Sequence, residues 1–432
     1  MRPGLLGSIT GDSIRTAALS AGAVLVAAAA AAQFVQYTAP GSLGVQQTPT
    51  RDRLDAAMEQ ARYRLGPLHV SPWFALKDVA YVNNVFGTAT DQKTDFTATI
   101  GAGLHAYLPV GGKVIVGTYL LPEYVWWRDL STRRVWNGTY GVGVFGYFNR
   151  VTLEARAGDS RAQQYASTEF EQPVNVRDQR ASASLEVQVL GRFALFGRGS
   201  DDRWRYREQD LGTLLGSELI FLDRDEKRAG GGVRYRPSKA FAVGVGVEKI
   251  TTDFVRPDRS RSNSGAAPLL ELSMESGHLR AMVDAVKLDL EPEDASTFIP
   301  FAGTTGRVQL AWTPRSALVL QVYGARNLVY SIAEVGPYYV DERRGVGVST
   351  RIGWRGVARL FWETGRDDYA GVSRTDDLRS YGAVLDFKLG RWGSFVIDGA
   401  RTDYASSDAA FDRSVTRVQT SIRLTGSSAQ WW

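Results

Sequence analysis

The chain has no cysteine, only three histidines and only four methionines among its 432 residues. Without cysteine there can be no disulfide, no thiolate metal site and no lipoprotein attachment. His69, His105 and His278 have no partner at metal-ligand spacing, no GxSxG element occurs, and no serine sits in a recognisable nucleophile context. Some barrel proteins carry catalytic groups at the outer rim, but His105 falls near the opposite end of its strand. The expectation is therefore a protein that is not an enzyme and takes no cofactor or metal. Long apolar runs are also missing after the first thirty or so residues, and the mean hydropathy is −0.20. That excludes a helical membrane protein but not a barrel, whose strands turn only half their residues outward. The formal charge of +5 is too mild to imply a nucleic-acid partner.

From Leu68 to Leu424 the chain repeats one pattern, about ten residues of alternating character followed by a turn. Val151, Leu153, Ala155 and Ala157 alternate with Thr152, Glu154 and Arg156; Ala181, Ala183, Leu185, Val187 and Val189 alternate with Arg180, Ser182, Ser184, Glu186 and Gln188. Val308, Leu310 and Trp312 do the same among Arg307, Gln309 and Ala311. Period two puts each set on its own face of a strand. Almost no helix is available to cover the apolar face. The economical solution is a closed sheet with apolar residues toward lipid and polar residues toward a wet interior. The fold expected is all-β: a transmembrane antiparallel up-and-down barrel.

The N-terminus reads as an export signal over residues 1–32. Arg2 and Arg15 precede an apolar run from Ala17 to Ala32 that ends in consecutive alanines, with cleavage expected before Gln33. Residues 33–66 form a periplasmic leader. Its first part is rich in Gly, Pro, Gln and Thr, and Arg51–Leu65 has helical spacing through Leu54, Met58, Ala61 and Leu65. The preferred reading of that stretch is a short helix at the barrel mouth or a tether, with a docking element or partial plug as the alternative. Residues 67–432 make the barrel.

Short turns fall at Val110–Lys113, Phe148–Val151, Leu190–Phe193, Arg236–Ala240, Glu275–His278, Thr313–Ala317, Gly353–Gly356 and Leu389–Gly393. Longer polar stretches alternate with them at 87–94, 128–134, 158–174, 199–227, 253–265, 289–304, 331–342, 366–378 and 404–413. Eight short turns and nine long loops give about 18 strands (16–18), with both ends on the short-turn, periplasmic side. Leu211–Leu222 is open to three readings: a strand pair, a helix or a loop folded into the lumen. Pro122 interrupts a ladder unless it sits at a bulge or rim. Trp312, Tyr235 and Phe148 fit an inner aromatic girdle, and Trp126, Trp127 and Trp136 an outer one.

Alternation places a charged set inward: Arg156, Arg180, Glu186, Arg234, Arg236, Glu248, Arg280, Arg307, Arg343, Arg351, Arg359, Glu363, Asp386, Lys388, Arg417 and Arg423, with Glu154 and Glu271. Either these pair across strands and stiffen a narrow wall, or free arginines line a path that favours anions. No plug-sized domain precedes the first strand. What can narrow the pore is the leader, loop 199–227 and the inward side chains.

Several short passages resemble an outer-membrane β-barrel porin family, members of which accompany exopolysaccharide gene clusters. They are Arg326-Asn-Leu-Val-Tyr-Ser331 with Gly336-Pro-Tyr-Tyr-Val340; Asp78-Val-Ala-Tyr81 with Asn84-Val-Phe86 and Asp95-Phe-Thr97; and Glu123-Tyr-Val-Trp126 with Asn149-Arg-Val-Thr152. The resemblance runs in matching order over roughly residues 65–425. It implies the barrel, the outer membrane of a Gram-negative-type bacterium, and passage of polysaccharide or another hydrophilic solute. No binding residue carries over from it. The chain departs from the usual barrel ending, because Thr425–Gln430 separate the last strand pattern from Trp431-Trp432. The main expectation is an outer-membrane channel for polysaccharide or another hydrophilic solute. The alternatives are a small-anion diffusion porin and an occluded structural or adhesion barrel, for which the basic loop 253–265 would be the exposed contact. The partners expected are outer-membrane lipid, the barrel-assembly machinery and, through the resemblance, periplasmic polysaccharide-export components.

Overall fold

The computed structural model describes residues 39–44, 50–82, 85, 93–165, 167–169, 173–206, 219–257, 261–296, 298–332, 336–390 and 393–425. The expected signal peptide, its expected cleavage site and Trp431-Trp432 lie outside the described residues. One helix, α1 (Thr50–Glu59), precedes a short strand, β1 (Tyr63–Leu65). The long strands follow in order: β2 (Leu68–Val82), β3 (Asp95–Val110), β4 (Val114–Trp127), β5 (Val135–Tyr147), β6 (Val151–Tyr165), β7 (Pro173–Leu190), β8 (Phe193–Tyr206), β9 (Arg224–Ser238) and β10 (Phe241–Phe254). The ring continues with β11 (Asn263–Ser276), β12 (Leu279–Pro292), β13 (Phe301–Arg315), β14 (Leu318–Tyr330), β15 (Tyr338–Ile352), β16 (Gly356–Tyr369), β17 (Thr375–Lys388), β18 (Ser394–Ser406) and β19 (Arg413–Thr425).

Each long strand pairs antiparallel with the next, and β19 closes on β2 from Arg417↔Val82 to Thr425↔Trp73. The result is a closed barrel of 18 strands, β2–β19, with β1 as one extra strand on β2. All eight short turns fall where turn chemistry put them; Gly111 and Gly112, for instance, take φ of +59° and +69° to join β3 to β4. The leader differs from the sequence reading. Its helix stops at Glu59, and Tyr63–Leu65 forms a hairpin with Leu68–Val70 around Gly66-Pro67. At Pro122 the β3–β4 ladder skips from Leu104↔Leu120 to Gly101↔Glu123, the break demanded by a residue with no N–H to donate.

The expected loops 158–174 and 199–227 are shorter than the sequence pattern suggested: β6 runs to Tyr165, β8 to Tyr206, and β9 begins at Arg224. The cause is a reversal of polarity. In the periplasmic half, register puts Ala181, Ala183, Leu185 and Val187 on the outer face. In the outer half, the outer face carries Arg203, Asp225, Lys227, Asp253 and Asp289. The inner face there carries Val174, Val176, Ile250, Leu269, Leu288 and Leu290, packed as an apolar cluster. Above the lipid the wall behaves as a soluble sheet, with water outside and a core inside. The described part of Leu211–Leu222 joins that core, with Leu219 and Leu222 buried, so the inward loop is the reading that holds for it. Trp126 and Trp127 cannot both face out. Trp136 is 71% exposed, whereas Trp127 is 2% exposed, donates Nε1–H to Gln163 at 3.2 Å and lies under Arg133. Trp127 is thus removed from the expected outer girdle.

Candidate functional site: the lumen and its two crossings

Register places the charged residues singled out from sequence on one sheet face, the face against which α1 packs. Arg343, Glu363 and Ser380 follow one inward column, with Gly345↔Glu363↔Ser380 as one row. Most of these charges meet a partner. Arg156 binds Glu154 at 2.6 Å, and Arg180 binds Asp178 at 3.1 Å and Asp202 at 2.7 Å. Arg307 binds Asp284 at 2.8 Å, and Arg343 binds Asp341 at 2.9 Å and Glu363 at 3.2 Å. A larger network spans β7–β11. Glu186 pairs with Arg234 and, at 2.5 Å, with Arg236. Glu271 joins Arg234 to Arg198, both at 2.5 Å, and Arg198 also pairs with Glu248. Arg280 pairs with Glu275 at the exposed periplasmic rim. Arg198 and Glu271 are half-buried, so the network ties five adjacent strands together at mid-wall.

The wall from β15 to β19 differs on its periplasmic side. Arg351, Arg359, Lys388, Arg417 and Arg423 share it with only Asp386 and Asp398. Arg417 stands 4.0 Å from Asp398. Lys388, Ser394 and Arg423 occupy one row, while Arg359 donates to the Gly41 carbonyl at 2.7 Å. Among the described residues this is the most basic stretch of inner wall in the periplasmic half.

Two segments cross the lumen. The first is the leader. Gly41 N–H donates to Glu363 at 3.1 Å, and Gln309 donates to the Leu43 carbonyl at 3.1 Å, which fixes residues 39–44 to the β13–β16 wall. Further along the chain, Leu54 and Ala57 of α1 are buried among Trp73, Tyr107, Tyr119 and Phe145, and Arg156 donates to Thr50 at 2.9 Å. The leader thus touches both sides of the ring. Its α1 sits just inside the periplasmic mouth, against Tyr107, Ile115, Phe145 and Tyr147 beside the short turns, so the short helix at the mouth is found and the leader also narrows the lumen there; the aromatic inner face of β2–β5 supplies the burial that a lone short helix lacks. At Gly41, φ is +73° and an added Cβ would stand 2.7 Å from the Phe361 ring, so only glycine fits.

The second crossing closes the outer mouth. The β6–β7 loop sends Ser167–Glu169 to the far side, where β14–β16 stand about half a circumference away, and to β19, five strands from β6 across the β19–β2 closure. Thr168 Oγ1 donates to Asp367 at 2.7 Å and lies 2.9 Å from the Tyr339 hydroxyl; Arg413 donates to the Thr168 carbonyl. Glu169 accepts the Ser331 hydroxyl and the Ile332 N–H, each at 2.6 Å. Arg261, from the β10–β11 loop, donates to the Ser331 carbonyl. Glu169 and Arg261 are each 6% exposed. Burial pushes the Glu169 carboxyl above its ordinary value, against the opposing effect of its two hydrogen bonds and of Arg374 and Arg261.

The partner hairpin is itself bent inward. The β13–β14 ladder ends at Gly306↔Arg326, and beyond it Leu328, Tyr330, Tyr338 and Tyr339 are all buried. Asn263 at the start of β11, three strands away, donates to the Tyr330 hydroxyl at 3.0 Å.

Alternation could not find this clasp. Glu169 and Arg261 lie in expected loops, and Asp367 in a stretch read as loop. Loop 253–265, expected as an exposed basic contact, instead turns Arg261 inward; residues 258–260 lie outside the described residues. Of the histidines, His105 is buried on the inner face, His69 Nδ1 lies 2.9 Å from the Met58 carbonyl, and His278 Nδ1 lies 3.0 Å from the Thr313 carbonyl. No group of metal-ligating side chains occurs among the described residues.

No protein family and no curated protein matches the chain. Among solved structures it is similar to the outer membrane protein OpdK from Pseudomonas aeruginosa, with a TM-score of 0.50 at 9% identity over 82% of this chain and 98% of that one. A second structure of OpdK, with vanillate, gives a TM-score of 0.50 at 11% identity over 82% and 98%. At such identity the likeness is one of fold, a closed antiparallel barrel of the outer-membrane kind. The exopolysaccharide association implied by the sequence resemblance has no counterpart in these similarities.

Proposed function

We propose that the protein is an outer-membrane channel for small anionic solutes, with a lumen narrowed by its own leader and by the clasp at its outer mouth. The observation that carries this reading is the basic inner wall of β15–β19, where five cationic side chains face two carboxylates. A cationic lining in a confined aqueous path lowers the barrier for anions and raises it for cations. The small-anion alternative fits better than the polysaccharide expectation. A polymer would need both crossings displaced along its whole length, whereas a small ion needs only a gap beside them. OpdK, a barrel of similar fold, has a structure with vanillate, a small aromatic acid, and we extend that ligand class, small organic anions, to this chain as part of the proposal.

The apolar outer face of the periplasmic half fits the lipid of a Gram-negative outer membrane, and the proposal takes the barrel-assembly machinery and that lipid as the chain's partners. The reading includes no catalysis: His69, His105 and His278 all lie toward the periplasmic end of the wall and none stands at the outer rim. A second reading, an occluded structural barrel, draws support from the paired network of β7–β11. Planar-bilayer recording separates the two. Under a salt gradient, a channel passing anions gives a reversal potential of the anionic sign. A barrel silent even after the leader and clasp are released is structural.

A further inference from the structure

The outer face of β14–β18 carries charge in ordered rows immediately above the apolar band. In the upper row Arg326, Glu342, Arg366 and Asp377 stand opposite one another with alternating sign. Such alternation is the favourable arrangement for cross-strand neighbours. Arg326 binds Glu342 at 2.9 Å, and Arg366 binds Asp368 at 2.9 Å and faces Asp377. One step nearer the membrane the row reads Arg344, Thr364, Arg379 and Asp403, and Asp403 is taken by Arg401 at 3.0 Å. Arg344 and Arg379 are thereby left exposed and, among the described residues, in no ion pair.

The cations across the barrel are of two kinds: Lys249 and Lys287 are likewise exposed on the outer face and, among the described residues, in no ion pair, while others are paired. Arg177 is held by Asp159, Arg203 by Asp201, Arg205 by Asp225 and Lys227 by Asp253. Directly beneath Arg344 and Arg379 come Val346, Trp362 and Tyr381; the two aromatic rings are each 49% exposed. Indole and phenol rings anchor at the boundary between acyl chains and head groups. The two guanidiniums therefore stand at head-group height, two strands and so about 10 Å apart along the sheet. They are mounted on paired strands whose backbones cannot swing away.

We propose that Arg344 and Arg379 form a binding site for the phosphate groups of an outer-leaflet phosphorylated glycolipid, with Trp362 and Tyr381 against its acyl chains and Thr364 between the arginines. The proposal rests on the outer-membrane placement given above. Guanidinium groups bind phosphate through paired, charge-assisted hydrogen bonds, and each cation near an anionic lipid surface strengthens its attraction to that surface. The site would fix the barrel's rotation and tilt in the leaflet, and it needs no passage of solute.

The test is binding of diphosphoryl lipid A to the purified, detergent-exchanged full barrel, followed by native mass spectrometry or by quenching of Trp362 fluorescence. The site predicts that the double variant Arg344→Gln/Arg379→Gln loses affinity by at least about tenfold. The control Arg366→Gln, whose arginine is already paired, keeps wild-type affinity. Dephosphorylated lipid A should bind both forms equally weakly, and inorganic phosphate at the same concentration should not compete. Equal lipid A affinity in the wild type and the double variant overturns the site. Competition by inorganic phosphate overturns the lipid as its ligand. All these substitutions are on the exposed face, and melting of the variants checks that the barrel is intact. Conductance is not read in this assay, so failure of the site and failure of the channel reading are separate results.

Discussion

Glu169 accepts a hydrogen bond from the Ser331 hydroxyl at 2.6 Å, joining two loops that leave the barrel wall on opposite sides. The same carboxylate takes the Ile332 N–H, so one side chain fastens the bent β14–β15 hairpin to the β6–β7 loop.

That latch titrates. Docking raises the Glu169 pKa from its ordinary 4.5 because the docked carboxyl is stripped of water. The charged and titratable groups around it are Arg374 and Arg261 from their loops, Asp367 and Tyr369 on β16, Tyr339 on β15, and Arg413 on β19 at the neighbouring Thr168. A pKa raised on docking means that docking takes up a proton. The stabilisation is complete below about 4.5 and is lost as pH rises through the docked value. Conductance in planar bilayers should therefore be lower at acid pH than at neutral pH. Glu169→Gln should hold the mouth closed across that range, and Glu169→Ala should open it at every pH. A wild-type conductance that rises on acidification contradicts the latch.

Gly41 should tolerate no side chain. Gly41→Val forces a β-branched residue to φ of +73° against the Phe361 ring, at a cost of about 1–3 kcal/mol, which the leader avoids by leaving the wall. The expected result is faster proteolysis of residues 39–60 in the otherwise intact barrel, together with larger single-channel steps. Unchanged protection would place the leader's hold elsewhere, in α1.

Breaking the β7–β11 network should cost stability and gain anion preference together. Glu271→Gln leaves Arg198 and Arg234 each short of a carboxylate. A charge-assisted hydrogen bond is worth about 1.5–3 kcal/mol, discounted here because the groups are only half-buried. A modest fall in the heat-modified gel transition should accompany a shift of reversal potential toward chloride. An unchanged reversal potential would show that this wall lies outside the path.

The barrel was legible in the sequence because one physical rule, lipid on one face and water on the other, holds along most strands of the periplasmic half, the β2–β5 wall that packs α1 being the exception. Ala181 to Val189 and Phe241 to Val247 follow it without exception. The outer half obeys the opposite rule, and Arg203, Asp225 and Lys227 therefore looked like loop while they continue a ladder. Inward charges such as Arg343 and Glu363 could be assigned by alternation, but not their pairing, which depends on register between strands. The clasp was invisible because Glu169 and Ser331 are 162 residues apart and meet only after the ring has closed. The leader's short helix was legible from its spacing, but not what holds it: it gains its stability from Tyr107, Trp73 and Phe145, which no local pattern reveals.

The central claim is tested most directly by the reversal potential of the barrel under a potassium chloride gradient, recorded on wild type and on Arg359→Gln/Arg423→Gln at neutral pH. The account predicts an anion-selective potential that moves toward zero in the double variant. A cation-selective wild type would contradict it, and so would a barrel that stays silent after Glu169→Ala and removal of residues 39–60.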